Sequence, residues 1–427
     1  MHSFHYINSI LHCEGVDLES LSQEVGTPAY VYSARTIRDH FRALQKALGS
    51  LPHRLCYAVK ANSNLAILRL LKEEGAGFDI VSGGELFKVL KAGGSAGQCT
   101  FAGVGKMPHE IEYALGEGVY SFNVESEGEL DLINAIAGRL GCKAPIALRV
   151  NPDVDTPTHH YISTGRHKNK FGIGLDRAES LYERAASLPH LKIRGIQTHI
   201  GSQILRAAPF LEAVEKLTPL VQRIQARYAL EFFSIGGGLG IVYQGALASG
   251  DAAWWAQEST GERLSADDYA RHILKPLEQL NLPIFLEPGR FLVGNAGVLL
   301  TKVLYRKETP EKNFLIVDAG MNDLIRPALY QGYHDLEPLV APEERPLEKI
   351  DVVGPVCESG DFFAQGRMLP RMEVGEKLAI MSAGAYGLVM ASNYNARPLP
   401  PEILVNGSTA SLVRRRQSWE DLVREEI

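Results

Sequence analysis

The chain is 427 residues long, with 45% hydrophobic and 22% charged residues and a formal net charge of −6. That length favours two domains over one, and that composition describes a globular protein with ample core. The mild negative charge gives no reason to expect nucleic acid or an anionic membrane as partner, and no apolar run approaches the roughly 18 residues of a membrane span.

Met1–Leu11 lacks a basic region followed by an apolar one, so it is not read as a signal peptide. Ala29-Tyr30-Val31-Tyr32, just after Thr27-Pro28, reads as a short strand. The pattern then alternates. Apolar strand candidates are Arg54–Val59, Gly77–Val81, Cys99–Ala102, Ser121–Val124, Ile146–Val150, Gly195–Ile200, Phe232–Ile235 and Pro283–Glu287. Helix-like segments lie between them, such as Asn64–Glu74, Gly84–Ala92, Ser126–Arg139 and Ala207–Tyr228. Eight strands alternating with helices imply parallel pairing and predict an α/β fold, a (β/α)8 TIM barrel. A doubly wound open sheet is the alternative.

Two stretches interrupt the alternation. Asn151–Gly172 is polar and rich in histidine and lysine, and Tyr243–Asp268 carries Trp254-Trp255. The second is read as a surface insertion whose tryptophans pack locally or at an oligomer contact. After about Gly289, Val298–Lys307, Asn313–Val317, Ile350–Val353 and Lys377–Met381 look like strands joined by turns, without helices. They predict an all-β C-terminal domain, a Greek-key-like barrel or sandwich that the Ala29–Tyr32 strand joins. The expected division is 1–35, 36–285 and 286–427, with a mixed-charge helix from Arg414 to Glu426.

The five cysteines are odd in number and scattered, with no metal-binding spacing. Neither a disulfide framework nor a metal site is expected, and a reducing cytoplasm is the expected compartment.

A barrel places its chemistry at the C-terminal ends of its strands. Lys60, Asp79 with Ser82, Arg149 with Asn151, His199 with Ser202, Gly236-Gly237-Gly238 and Glu287 all fall there. Lys60 follows the apolar run Leu55–Val59; a desolvated lysine is partly neutral amine and attacks carbonyl carbon, although many strand-end lysines merely reach solvent. Ser234-Ile235-Gly236-Gly237-Gly238-Leu239-Gly240 lets backbone N–H groups approach phosphate oxygens. Alone that signal is weak, but a second turn, Glu287-Pro288-Gly289-Arg290, comes from the next strand. In barrels the loops after strands 7 and 8 frequently build the phosphate site. Glu287 either caps its turn, pairs with Arg290, or faces a pyridine nitrogen; His199 is a core histidine or stacks on a flat cofactor. Gly354–Asp361 puts Cys357, Glu358 and Asp361 in one turn, where a cysteine kept as thiol suits proton donation. Ala383–Gly387 offers the phenol of Tyr386, whose plainer use is packing.

This set resembles the fold type III pyridoxal-phosphate (PLP) decarboxylases, the alanine-racemase-like barrel family that includes ornithine and arginine decarboxylases. The likeness runs from about Thr27 to Trp419. His160–Gly165, Lys170-Phe171-Gly172, Arg326–Tyr330 and the Cys357–Asp361 turn resemble the branch acting on diaminopimelate; the polyamine-forming branch typically carries Cys-Asp in that turn. The resemblance implies a PLP-dependent lyase that decarboxylates meso-2,6-diaminopimelate to L-lysine and CO2, the last step of lysine biosynthesis. By it Lys60 carries the cofactor as a Schiff base and His199 stacks on the ring. Ser202, Gly236–Gly238, the Glu287–Arg290 turn (with Pro288 and Gly289) and Tyr386 hold the phosphate. Asp79 and Arg149 join the cofactor site, and Glu287 contacts the pyridine nitrogen. Arg290, Arg326, Tyr330, Glu358 and Tyr386 grip the substrate. Cys357 donates a proton, and with Glu358 completes the active site of the partner in a homodimer. Alternatives on the same barrel are a basic amino-acid decarboxylase, a racemase needing two opposed acid/base groups, and a non-catalytic PLP carrier.

Overall fold

The computed structural model describes residues 1–155, 170–257 and 263–427. The chain forms two units. One comprises Phe41–Ile241 and Thr260–Phe291, the other Met1–His40, Val242–Ser259 and Leu292–Ile427.

The first unit is a closed barrel. Its strands are β1 (His53–Ala58), β2 (Gly77–Ile80), β3 (Cys99–Phe101), β4 (Ser121–Val124), β5 (Ala144–Asn151), β6 (Leu191–Gln197), β7 (Phe232–Ser234) and β8 (Ile284–Leu286). Each pairs in parallel with the next, and β8 returns to β1 through Ile284↔His53 and Leu286↔Leu55, so no edge is left open. The strands read as continuous apolar runs because both of their faces are covered. Phe232 and Phe285 stack at 4.5 Å beside Cys56 and Ala147. Gly195 admits that stack, since a Cβ there would lie 2.5 Å from the Phe232 ring.

The helices around the barrel start where a polar side chain takes up a free backbone N–H. Asn64 caps Leu65–Glu73 by accepting from Ala66 N, and Ser82 and Ser126 cap Gly83–Lys91 and Glu127–Arg139 in the same way. Ile67, Leu68, Leu70 and Leu71 recur on one face of Leu65–Glu73 and are buried. Among the described residues no helix is long and apolar enough to cross a membrane.

In the second unit Ala29–Ser33 lies inside a mixed sheet, antiparallel to Gly297–Glu308 and parallel to Glu402–Asn406. The sheet continues through Asn313–Val317 and Leu347–Val353 to Phe362–Pro370 on one side, and to Thr409–Arg414 on the other. Val31, Val298, Leu300, Ala379, Ile403 and Val405 share its core with Phe4, Leu11 and Leu18.

Several features of this unit depart from the sequence reading. The first 25 residues hold a three-stranded sheet and the helix Leu18–Val25. Phe362–Pro370, Glu402–Asn406 and Thr409–Arg414 are strands that the pattern did not announce. The last has mostly exposed side chains and so carries no alternation. The expected C-terminal helix shrinks to Trp419–Val423, and Arg414 ends a strand instead. The unit also contains short helices, one of them Arg326–Tyr330. Val242–Ser259 groups with this unit rather than with the barrel; there Trp254 and Trp255 meet edge to face at 5.2 Å, and Trp255 Nε1 donates to Ser249 O at 2.7 Å.

Candidate active site

Polar side chains converge at the C-terminal ends of the barrel strands. β1 ends at Ala58, and Lys60 sits on the single turn Val59–Ala61 that follows. Its Nζ lies 3.3 Å from Asp79 Oδ2 on β2. Lys60 is less enclosed than the sequence reading supposed, its side chain retaining 38% exposure while Asp79 is sealed. Burial raises the Asp79 carboxyl, and the Lys60 charge pulls it back down.

Glu287 follows β8 and is buried among apolar strands. Gln197 Nε2 donates to one of its oxygens at 2.9 Å and Ser234 Oγ to the other at 2.7 Å. Burial, then the charge of Asp79, holds its carboxyl above the ordinary range, at about 7. Arg290, in the same turn, donates to Ser202 Oγ at 3.1 Å. His199 follows β6, and Gly237 N donates to its Nδ1 at 3.1 Å, so the ring proton belongs on Nε2. Burial, with Arg149 and Lys60 nearby, holds His199 well below its usual pKa, and the ring is a neutral, flat imidazole.

The glycines after β7 are there because backbones touch. A Cβ on Gly236 would stand 2.3 Å from Thr198 O, and one on Gly237 2.2 Å from Glu287 O. Glu287 N in turn donates to Gly236 O at 2.8 Å. The two glycine turns anticipated as a phosphate cradle are therefore one hydrogen-bonded structure.

The second unit carries the other anticipated residues. Arg326 opens its short helix, donates from Nη1 to His334 Nε2 at 2.7 Å and lies over the Tyr243 ring at 4.4 Å. A guanidinium only donates, so His334 Nε2 accepts and its Nδ1–H reaches Met381 O at 2.7 Å. Tyr330 ends the same helix and is half-buried, as is Tyr386, which has a positive φ of 56°. Cys357 and Glu358 are exposed on their turn. Cys357 N donates to Asn395 Oδ1 at 3.0 Å and Tyr394 OH to Glu358 Oε1 at 2.5 Å. Asp361 ties the turn from within, accepting from Met321 N and Val356 N at 2.6 Å each.

Sequence reasoning missed Glu125, Gln197, His334, Tyr394 and Asn395. Glu125 follows β4 immediately and was open to the strand-end rule that found its neighbours; His334 and Asn395 carry no spacing signal. The His160–Gly165 motif lies outside the described residues. Among the described residues no group of histidine, cysteine, aspartate or glutamate side chains could hold a metal ion.

The barrel residues fit pyridoxal phosphate. Asp79 Oδ1, Asn123 Oδ1 and Nδ2, Arg149 Nη2 and Gln197 Oε1 are buried without a hydrogen-bond partner among the described residues, and buried polar atoms in that state await a ligand or water. Residues 34–294 match the family model described as pyridoxal-dependent decarboxylase, pyridoxal binding domain, and the chain belongs to that family of PLP-dependent decarboxylases. Over nearly its whole length it is similar to diaminopimelate decarboxylases. The protein of that name from Pseudomonas aeruginosa is 48% identical over 99% of this chain and 98% of its own. The crystal structure of diaminopimelate decarboxylase from Helicobacter pylori complexed with L-lysine superposes with a TM-score of 0.89 at 41% identity, covering 96% of this chain and 99% of that one. A lysine/ornithine decarboxylase from Vibrio vulnificus, covering 91% of this chain and 97% of its own, shares the fold at a TM-score of 0.77 and 23% identity.

Proposed function

We propose that this chain is a PLP-dependent carboxy-lyase that converts meso-2,6-diaminopimelate to L-lysine and CO2. The observation that carries the proposal is full-length likeness to diaminopimelate decarboxylases, on a chain whose barrel brings Lys60, Glu287 and the joined glycine turns to its strand ends.

Lys60 would hold the cofactor through its amine. When bound, PLP supplies a protonated pyridine ring that accepts the electron pair left as CO2 departs. The Glu287 carboxylate, fixed by Gln197 and Ser234, would sit at the ring nitrogen. His199, neutral and flat, would stack on the ring without adding a charge that opposes electron flow into it. Gly236, Gly237, Gly238, Ser202, Pro288, Gly289 and Arg290 would bind the phosphate, with Tyr386, and Asp79 and Arg149 would complete the cofactor site.

The substrate is an amino acid at both ends, so the protein must grip one end while the other reacts. Arg290 and Arg326 suit a distal carboxylate through charge-assisted bonds, Glu358 suits the distal ammonium, and Tyr330 and Tyr386 supply hydroxyls. Cys357 Sγ would hold the proton that goes to Cα. The exposure of Cys357 and Glu358 on the single chain supports a homodimer in which they complete the partner's site. Five free cysteines accord with a cytoplasmic location.

The deciding experiment measures CO2 release from meso-diaminopimelate, L-ornithine, L-arginine and L-lysine with PLP supplied. Release from diaminopimelate alone is expected. Release from a basic amino acid instead would overturn the substrate assignment.

A further inference from the structure

The Glu125 carboxylate gathers the loops that follow three neighbouring barrel strands. Its Oε1 accepts from Arg149 Nη1 on β5 at 2.9 Å and from Gly103 N, past β3, at 3.1 Å; its Oε2 accepts from Gly172 N at 3.2 Å. Glu125 is itself held, because its backbone N–H donates to Glu129 Oε2 at 2.8 Å. Glu129 Oε1 is bonded at 2.6 Å by Lys106, whose Nζ also binds Gly103 O and Asn123 O at 2.8 and 2.9 Å. Phe171 covers the Arg149 guanidinium at 4.9 Å. Glu125 and Arg149 are 5% and 6% exposed, and Arg149 Nη2 is buried with no partner among the described residues. A guanidinium held so tightly on one side, with a buried donor unused on the other, is built to meet an acceptor.

We propose that Glu125 is a positioning residue, fixing Arg149 so that Nη2 serves an acceptor oxygen of the bound cofactor. The inference rests on the reading of Arg149 as a cofactor-binding residue. Glutamine at 125 would keep one acceptor but turn an amide N–H against the N–H of Gly103, Gly172 or Arg149, and would remove the counter-charge.

The test is a double-mutant cycle on PLP affinity, titrating apoenzyme and following the visible absorbance of the bound cofactor. E125Q and R149K should each weaken PLP binding about tenfold, the scale of one lost charge-assisted bond, and E125Q/R149K should be no weaker than R149K alone. The absorbance maximum should move alike in all three. Unchanged affinity in E125Q, or losses that multiply in the double variant, would overturn the inference. Unchanged affinity in R149K would overturn the role of Arg149 itself, whatever E125Q does. If E125Q folds poorly, E125D retains the charge, shortens the reach and completes the same cycle.

Discussion

Lys60 Nζ stands 3.3 Å from Asp79 Oδ2, a half-open cation against an aspartate sealed inside the barrel. The pairing orients the amine and gives the buried carboxylate its counter-charge, so Lys60 has an electrostatic use beside the chemical one proposed for it. Lys60→Ala removes both; Lys60→Arg keeps the charge but lacks a nucleophilic amine. Both variants are expected to lose the visible absorbance of bound cofactor and to lower CO2 release at least about a thousandfold. A variant that keeps the wild-type spectrum would show that Lys60 does not carry the cofactor.

The glycine turns make a separate prediction about backbone contact. Gly237→Ala sets a Cβ 2.2 Å from Glu287 O, with only backbone to give way. We expect a loss of about 2–4 kcal/mol in apoenzyme stability together with weakened PLP binding. Gly128→Ala is the control: it is exposed on the helix Glu127–Arg139 with nothing near its Cβ, and should stabilise by about 0.5–1 kcal/mol. Calorimetric melts of both apoproteins decide the matter.

The barrel was legible in the sequence because its strands are buried on both faces and its helices alternate with them. The placement of Lys60, Asp79, Arg149, His199 and Glu287 at the barrel's strand ends was legible because the strand pattern itself fixes those ends. The second unit was less so: Thr409–Arg414 is exposed and Phe362–Pro370 alternates poorly, leaving no periodic signal. The partners that hold the site, such as His334 behind Arg326 and Gln197 beside Glu287, come from chain distances of 8 and 90 residues. Nothing in local composition marks such pairs; only the closed fold brings them together.

Glu287 gives a pH dependence. Its carboxyl titrates near 4.5 in the unfolded chain and near 7 when buried in the barrel. Between those values the folded apoenzyme binds more protons than the unfolded chain, so this group lowers stability as pH rises through that window. Glu287→Gln removes the ionisation, and Gln197 can turn its amide to accept from the new side chain. Relative to wild type, apo E287Q should therefore gain about 2–3 kcal/mol of stability between pH 5 and pH 8. It should also bind PLP more weakly, having lost the carboxylate for the ring nitrogen. Parallel melting curves with the pH would show that Glu287 is not buried as described.

Replacing Arg326 is expected to separate substrate binding from cofactor binding. Its guanidinium is aligned by His334 and lies on Tyr243. Arg326→Ala should raise KM for diaminopimelate at least about tenfold with PLP affinity unchanged. His334→Ala should show a smaller rise in the same direction. Equal losses of cofactor and substrate binding would argue against a substrate clamp.

Cys357 is the one exposed cysteine of the five, while Cys13, Cys56 and Cys99 are buried and burial pushes their thiols up. A thiol-alkylating reagent should therefore label Cys357 first, and substrate should slow the labelling if the residue serves the reacting centre. Cys357→Ala should lower turnover about a hundredfold or more through loss of the proton held at Sγ, with KM and the cofactor spectrum little changed. Cys357→Ser should recover little, because a hydroxyl is a far weaker acid than a thiol. Full turnover in the alanine variant would assign the proton to another group, and Tyr386 would then be the next residue to replace.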